Sequence, residues 1–388
     1  MSQKALTPQP GILDIAPYVP GESNLPSGRK PIKLSSNETP LGPSPAAIAA
    51  YRDASATLER YPDGQATQLR RAIAEVHGLA ADQIICGSGS DEVLSMLAAA
   101  YLGPGDEAIY SEHGFLVYRI AILANGATPV IAPETELTTD VDAMLARVSE
   151  KTRMVFVANP NNPTGTVLPA SEIKRLRAGL PDEVILVLDG AYAEYVEADA
   201  YTDGADLVAT SNTVMTRTFS KIHGLAALRL GWAYAPKQII DVLNRIRGPF
   251  NVGAPALAAG EAAIRDVEHM QRAIQHNSKW LPILSDEISR MGLTVTPSVA
   301  NFILFHVPAQ SGHDASDLDT FLKSQFILLR RVTGYGLPDA MRMSIGTDAE
   351  NQTVLEALKH WTARAPLGTA QPDAVTSNAA GHAGQAAE

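Results

Sequence analysis

The chain has one cysteine, Cys86, in 388 residues. A single thiol excludes an internal disulfide and suits a reducing compartment. Long hydrophobic runs are missing as well: every apolar stretch meets glycine, proline or a charge before it could span a bilayer. The opening Met-Ser-Gln-Lys-Ala-Leu-Thr-Pro has no apolar core of the kind a secretory signal needs. A cytoplasmic protein without membrane contact is expected. Positive charge is also short, with 31 Lys and Arg against 42 Asp and Glu, a net of −11. A nucleic-acid partner would want a basic face, so none is expected. An anionic ligand would have to be held by local arginines and helix N-termini against the overall field.

What is present is an alternation. Residues 1–45 are rich in Pro, Gly, Ser and Asn and read as an ordered, non-helical arm. A helical pattern runs from Gln68 to His77 and stops at Gly78. Ile84-Ile85-Cys86 reads as a buried strand, and the turn Gly87-Ser88-Gly89-Ser90-Asp91 opens a helix through Val93, Leu94, Leu97 and Tyr101. Further apolar runs lie at 108–110, 128–131, 154–157, 184–188, 213–215 and 231–234, most of them separated by helix-length segments. Near-continuous apolar strands alternating with helices predict a mostly parallel sheet covered on both faces. The pattern is helical from Pro236 to about Met291. Short strands at 294–296, 302–305, 327–330 and 341–345, with helices near 318–325 and up to Trp361, then predict a smaller α+β domain. The expected division is an arm (1–45), a large α/β domain (46–285), a small domain (286–362) completed by the arm, and a disordered tail (363–388).

In open α/β sheets ligands bind beyond the carboxyl ends of the strands, so the residues just past each apolar run are the candidates for chemistry. After the run at 213–216 comes Thr218-Phe219-Ser220-Lys221-Ile222-His223-Gly224-Leu225, with Arg229 shortly beyond. Burial would lower the Lys221 pKa and prepare its amine to attack a carbonyl. Thr218, Ser220 and Arg229 are suited to one phosphate. Together they suggest a phosphorylated aldehyde cofactor, although a lysine at a strand exit and an arginine in a surface ion pair would also fit this segment. Asp189 ends the run at 184–188, where a desolvated carboxylate needs a partner. A protonated pyridine nitrogen would serve: at about 4 Å and an effective dielectric of about 20 the pair is worth about 4 kcal/mol, roughly three pKa units. A helix N-cap is the other local reading of Asp189. Asn162, in Pro160-Asn161-Asn162-Pro163-Thr164-Gly165, and Tyr192 are candidate donors to a ring phenolate, though Asn-Pro also simply favours a turn. The glycine turn at 87–91 presents free N–H groups at a positive helix end, a second wall for the phosphate. Phe115 could stack on the ring or serve the core. No metal site is expected.

With these residues in place the chain resembles the histidinol-phosphate aminotransferase family, within the class II pyridoxal-phosphate-dependent aminotransferases of fold type I. The likeness covers about residues 10–362. It rests on Pro17-Tyr18-Val19-Pro20-Gly21, Leu34-Ser35-Ser36-Asn37-Glu38-Thr39-Pro40-Leu41-Gly42-Pro43, Arg60-Tyr61-Pro62-Asp63, Pro160-Asn161-Asn162-Pro163-Thr164-Gly165, Asp189-Gly190-Ala191-Tyr192, the Lys221 segment and Leu329-Arg330, in order and at compatible separations. The resemblance implies pyridoxal 5'-phosphate as cofactor, with Lys221 binding its aldehyde and moving the substrate proton. It implies Asp189 on the pyridine nitrogen, Asn162 and Tyr192 on the ring oxygen, Phe115 against the ring, and Ser90, Asp91, Thr218, Ser220 and Arg229 around the phosphate. Tyr61 would reach the cofactor phosphate of a second subunit, making a homodimer with shared sites. Tyr18, Asn37, Arg330 and Arg342 would bind substrate, Arg330 at the histidinol phosphate group and Arg342 at the carboxylate of 2-oxoglutarate or glutamate. His223 and Trp232 stand where many relatives have tyrosine, and Ala227 where glycine is frequent, which bears on substrate preference. The implied reaction is histidinol phosphate plus 2-oxoglutarate to imidazole acetol phosphate plus glutamate, in histidine biosynthesis. Aromatic amino-acid transamination of phenylalanine or tyrosine and phospho-amino-acid decarboxylation are the rival enzymatic readings, and a non-catalytic module a third.

Overall fold

The computed structural model describes residues 6–25, 30–197, 201–309 and 313–364. Seven strands build the central sheet: β1 (Ile84–Gly87), β2 (Glu107–Ser111), β3 (Thr128–Ala132), β4 (Thr152–Ala158), β5 (Ile185–Asp189), β6 (Thr213–Thr218) and β7 (Gly231–Tyr234). Their order is β1-β7-β6-β5-β4-β2-β3. The strands β2 to β6 pair in parallel, as the continuous apolar runs predict. The exception is β7, antiparallel to both β1 and β6. A parallel return needs a crossover of a dozen or more residues, usually a helix. The link from β6 to β7 holds only the Lys221 turn and a 3-10 turn at Ala226–Leu228, so the chain doubles back.

Successive side chains leave the sheet on opposite faces. Met154 and Phe156 pack with Leu94, Leu97, Tyr118 and Ile122 on one side. Val155 and Val157 pack with Ile173 and Leu176 on the other. Helices therefore cover both faces, and polar chemistry is confined to the edges. The carboxyl ends of β2, β4, β5 and β6 share one edge, and between β2 and β4 the connections diverge, leaving a crevice there.

A second, antiparallel sheet orders Thr294–Thr296, Phe302–His306, Leu337–Ser344 and Arg330–Val332. Ile303, Phe305, Met341 and Met343 enter a core with Leu284, Leu322, Val354 and Trp361. The alternate residues of the same strands, Phe302, Leu304, Arg342 and Ser344, are consequently aligned on the opposite face. Among the described residues the arm is non-helical up to Ser44 apart from a 3-10 turn at Ile12–Asp14, and Ile32–Lys33 pairs in parallel with Ile327–Leu328. The strand expected over 327–330 is thus divided: its first half serves the arm, while Arg330–Val332 joins the second sheet.

The helix Pro45–Ala54 was not anticipated, because its alanines form no apolar stripe. Its start was legible: Ser44 accepts the Ala47 N–H at 3.1 Å, and proline occupies the first turn. The helical pattern after Pro236 resolves into Lys237–Ile246, Ala254–Arg265 and Val267–Arg290, interrupted around Gly248-Pro249 and again at Asp266, which caps the His269 N–H. Among the described residues no helix is long and apolar enough to cross a membrane. Of the expected disordered tail, 365–388 lie outside the described residues.

Candidate active site

Every sequence-predicted site residue except Tyr61 lines one cavity of about 480 Å³ between the sheet edge, the arm and the second sheet. Lys221 reaches it from the turn after β6, anchored by the buried Phe219 and Ile222. Its Nζ donates to the Ser36 carbonyl at 3.0 Å, and it makes no ion pair among the described residues. Burial, helped by the nearby Arg342 charge and opposed by Glu38, lowers its pKa from 10.5 to about 7. The amine is therefore substantially neutral near neutrality, the form that attacks carbonyls.

That lowered pKa costs stability in the unliganded protein. The unfolded chain holds the lysine proton up to about pH 10.5 and the folded one only to about 7, so stability rises with pH across that window. The cost is complete below pH 7 and gone above 10.5. Lys221→Met should stabilise the apoprotein by about 2–4 kcal/mol at pH 7 and by little at pH 10.5. Denaturant midpoints of both proteins at the two pH values check this.

Asp189 ends β5 and is 4% exposed. Its Oδ2 accepts from the Tyr118 hydroxyl at 2.9 Å and its Oδ1 from Thr216 Oγ1 at 3.2 Å. No cation pairs with it among the described residues, and burial raises its pKa against the pull of those hydrogen bonds. Such a carboxylate favours a cationic ligand group. Tyr118 was missed in the sequence. Its cue was the spacing of three from Phe115 at a helix start, which makes the two rings neighbours; they meet edge to face at 5.9 Å.

Also lining the cavity, the turn 87–91 opens the helix Ser90–Tyr101, and no side chain caps that helix. Gly89 has φ +91°, and a Cβ there would overlap the Asp91 carboxylate and the Arg229 guanidinium. Glu92 braces the turn by accepting from the Ser88 N–H and from Asn251 Nδ2, at 2.5 and 2.8 Å. Arg229 contacts Asp91 Oδ1 at 2.9 Å and Ser220 Oγ at 3.4 Å, and Thr218 Oγ1 accepts the Ser220 N–H at 3.1 Å. Uncapped helix amides, two hydroxyls and a guanidinium converge as a cradle for an anion.

Arg330 and Arg342 are cross-strand partners, and neither makes an ion pair among the described residues. Arg342 is buried, donates to Asn162 Oδ1 and to the Ser35 carbonyl at 2.9 Å, and leaves Nε without a partner. Arg330 donates to the Val19 carbonyl at 2.7 Å. Side by side and without carboxylates among the described residues, they are suited to ligand anions; the ion pair that the sequence also allowed is made by Arg229, with Asp91. Tyr18 is half exposed, Asn37 is buried under Tyr192, and Tyr335, not anticipated, adds a buried hydroxyl to the wall. Tyr61 lies outside this cavity, 82% exposed and stacked on Phe250 at 4.5 Å.

The site offers an activated amine, a cradle for an anion, a carboxylate without a cation and two arginines without an ion pair among the described residues. These are the demands of a phosphorylated pyridine aldehyde and an anionic substrate, and the donor set fits both. The model of the aminotransferase class I and II family matches residues 29–358. The chain is 57% identical over 359 residues to a protein named histidinol-phosphate aminotransferase from Rhodopseudomonas palustris (strain HaA2), covering 92% of this chain and 98% of that one. It is 58% identical over 359 residues to a protein of the same name from Nitrobacter winogradskyi, with the same coverage. A solved structure of histidinol-phosphate aminotransferase from Sinorhizobium meliloti, in complex with pyridoxal-5'-phosphate, superposes with a TM-score of 0.80 at 27% identity over 87% of this chain and 92% of that one.

Proposed function

Since the chain belongs to the class I and II aminotransferases, we propose that it moves the amino group of histidinol phosphate to 2-oxoglutarate, using pyridoxal 5'-phosphate and yielding imidazole acetol phosphate and glutamate. The single observation that carries this reading is the placement of Arg330 and Arg342, neither paired with a carboxylate among the described residues, in one cavity with Lys221 and Asp189. The name shared by relatives at 57% and 58% identity supports the same substrate. When bound, the cofactor supplies a ring that accepts the electron pair left as the substrate α-proton departs. Lys221, as a neutral amine, would hold the cofactor through its aldehyde carbon and would carry that proton. Asp189, whose ionised form Tyr118 and Thr216 favour by donating to it, would face the pyridine nitrogen and would favour its protonated form. The Ser90 and Asp91 amides, Thr218, Ser220 and Arg229 hold the phosphate, Asn162 and Tyr192 serve the ring oxygen, and Phe115 flanks the ring.

Arg342 takes the carboxylate of glutamate or 2-oxoglutarate, and Arg330 the phosphate of histidinol phosphate, with Tyr18 and Asn37 lining the substrate side. Tyr61 acts in the cavity of a second copy of the chain. The exposure of Tyr51, Leu58, Tyr61 and Phe250 supports that homodimer. Residues 46–285 serve as the cofactor domain and 286–362, with the arm, as the substrate-side domain of a cytoplasmic enzyme. Aromatic amino acids are second substrates at most, and decarboxylation is not favoured.

Arg330→Ala tests the phosphate assignment. Loss of a charge-assisted guanidinium–phosphate contact should lower kcat/KM for histidinol phosphate by about 10²-fold and for phenylalanine by about 10-fold or less. Parallel kinetics with both donors decide it, and equal losses would remove the phosphate role.

A further inference from the structure

Beneath Tyr192 lies a buried polar chain with a fixed direction. Asn37 Nδ2 donates to the Tyr192 hydroxyl oxygen at 2.9 Å. The Asn37 backbone N–H donates to Ser344 Oγ at 2.7 Å, and Ser344 Oγ donates to Asn37 Oδ1 at 3.3 Å. The Asn37 carbonyl accepts from Asn301 Nδ2 at 3.0 Å. Asn37 is thus held at all four of its polar groups, at a φ of +56° that asparagine tolerates better than most residues.

Counting protons fixes the polarity. Ser344 Oγ already accepts the Asn37 amide, and both of its hydrogen bonds among the described residues are with Asn37. Its own proton must therefore go to Oδ1. An Asn37 side chain turned over would leave that buried hydroxyl without an acceptor. The amide nitrogen accordingly faces Tyr192, and a phenol receiving a donor cannot spend its own proton on it. The Tyr192 hydroxyl donates to no other described group, so its proton is left for the cavity. Lys221 Nζ lies 5.7 Å from the Tyr192 ring centre.

Resting on the cofactor reading of this site, we propose that Ser344, Asn37 and Tyr192 form a one-way hydrogen-bond relay that aims the Tyr192 proton at the cofactor ring oxygen. Ser344 and Asn37 are positioning residues. Ser344 shares its strand face with Arg342, so the segment that grips a substrate carboxylate also sets the relay.

The relay has a spectroscopic signature. A donor aimed at the ring oxygen stabilises its anionic form, so losing it raises the pH at which the holoenzyme's visible band titrates. Asn37→Asp keeps size and backbone preference but replaces the donor with an acceptor. Its added charge could raise the midpoint without any relay, so the substitution is measured with Tyr192 intact and in Tyr192→Phe. The expected shift is about one pH unit with Tyr192, and roughly a third of that or less in Tyr192→Phe. Asn37→Gly, which keeps the φ and adds no charge, should shift the midpoint in the same direction only when Tyr192 is present, and it serves should Asn37→Asp fail to fold. Equal shifts in the two backgrounds, or none with Tyr192, overturn the relay. If Tyr192→Phe alone moves the midpoint, the cofactor reading stands and the relay falls. If wild-type protein incubated with pyridoxal 5'-phosphate shows no visible band, both fall.

Discussion

Lys221→Ala loses turnover by on the order of 10⁴-fold or more, the range expected when a positioned proton carrier is removed. On the proposed reading two functions would disappear together, the amine for the aldehyde and the base for the α-proton, so the loss should exceed that of any neighbour. The fold should survive. Among the described residues the Lys221 side chain makes one hydrogen bond, to the Ser36 carbonyl, and its burial is a cost to the apoprotein. The variant should therefore show an unchanged or higher thermal midpoint without cofactor, and a visible band that borohydride no longer fixes to the protein. Steady-state rates, thermal melts and borohydride treatment check the three parts. Turnover within tenfold of wild type would remove Lys221 from the chemistry.

Asp189→Asn is the second large effect. A carboxylate against a pyridinium at about 4 Å and an effective dielectric of about 20 is worth about 4 kcal/mol, or roughly 10³-fold in rate when that interaction is needed to hold the ring cationic. Asparagine retains the shape but supplies no charge. Tyr118 donates to Oδ2 and Thr216 to Oδ1, so the one carbonyl oxygen of asparagine keeps one of these bonds and the other hydroxyl must turn to accept from the new amide. Cofactor should still bind, because the cradle at Arg229, Thr218 and Ser220 makes its own hydrogen bonds, none of them to Asp189 among the described residues. The expected outcome is a holoenzyme with a visible band and a turnover number lower by about 10³-fold. Loss of less than tenfold would mean that the buried carboxylate does not govern the ring.

Both residues were legible in the sequence for one reason: a polar side chain that closes an apolar run is delivered to the sheet edge where ligands sit. The strands were legible because a sheet covered on both faces needs apolar residues at every position, as in 154–157 and 185–188. Other features were hidden by distance. Tyr118 makes its contact with Asp189 across 71 positions, and Asn37 meets Ser344 across 307. No local pattern encodes such partners. The antiparallel return of β7 escaped because the link before it has helix length but holds the Lys221 turn instead. Arg330 and Arg342 entered only through the resemblance, since an arginine on a short strand has the same local signature whether it binds a ligand or a surface carboxylate.

The most direct test of the account is glutamate formation from 2-oxoglutarate, measured side by side with histidinol phosphate, phenylalanine and tyrosine as amino donors. The account predicts the highest kcat/KM with histidinol phosphate, equal amounts of keto product and glutamate, and no carbon dioxide. A higher efficiency with an aromatic amino acid, or carbon dioxide released in place of the ketone, would contradict it.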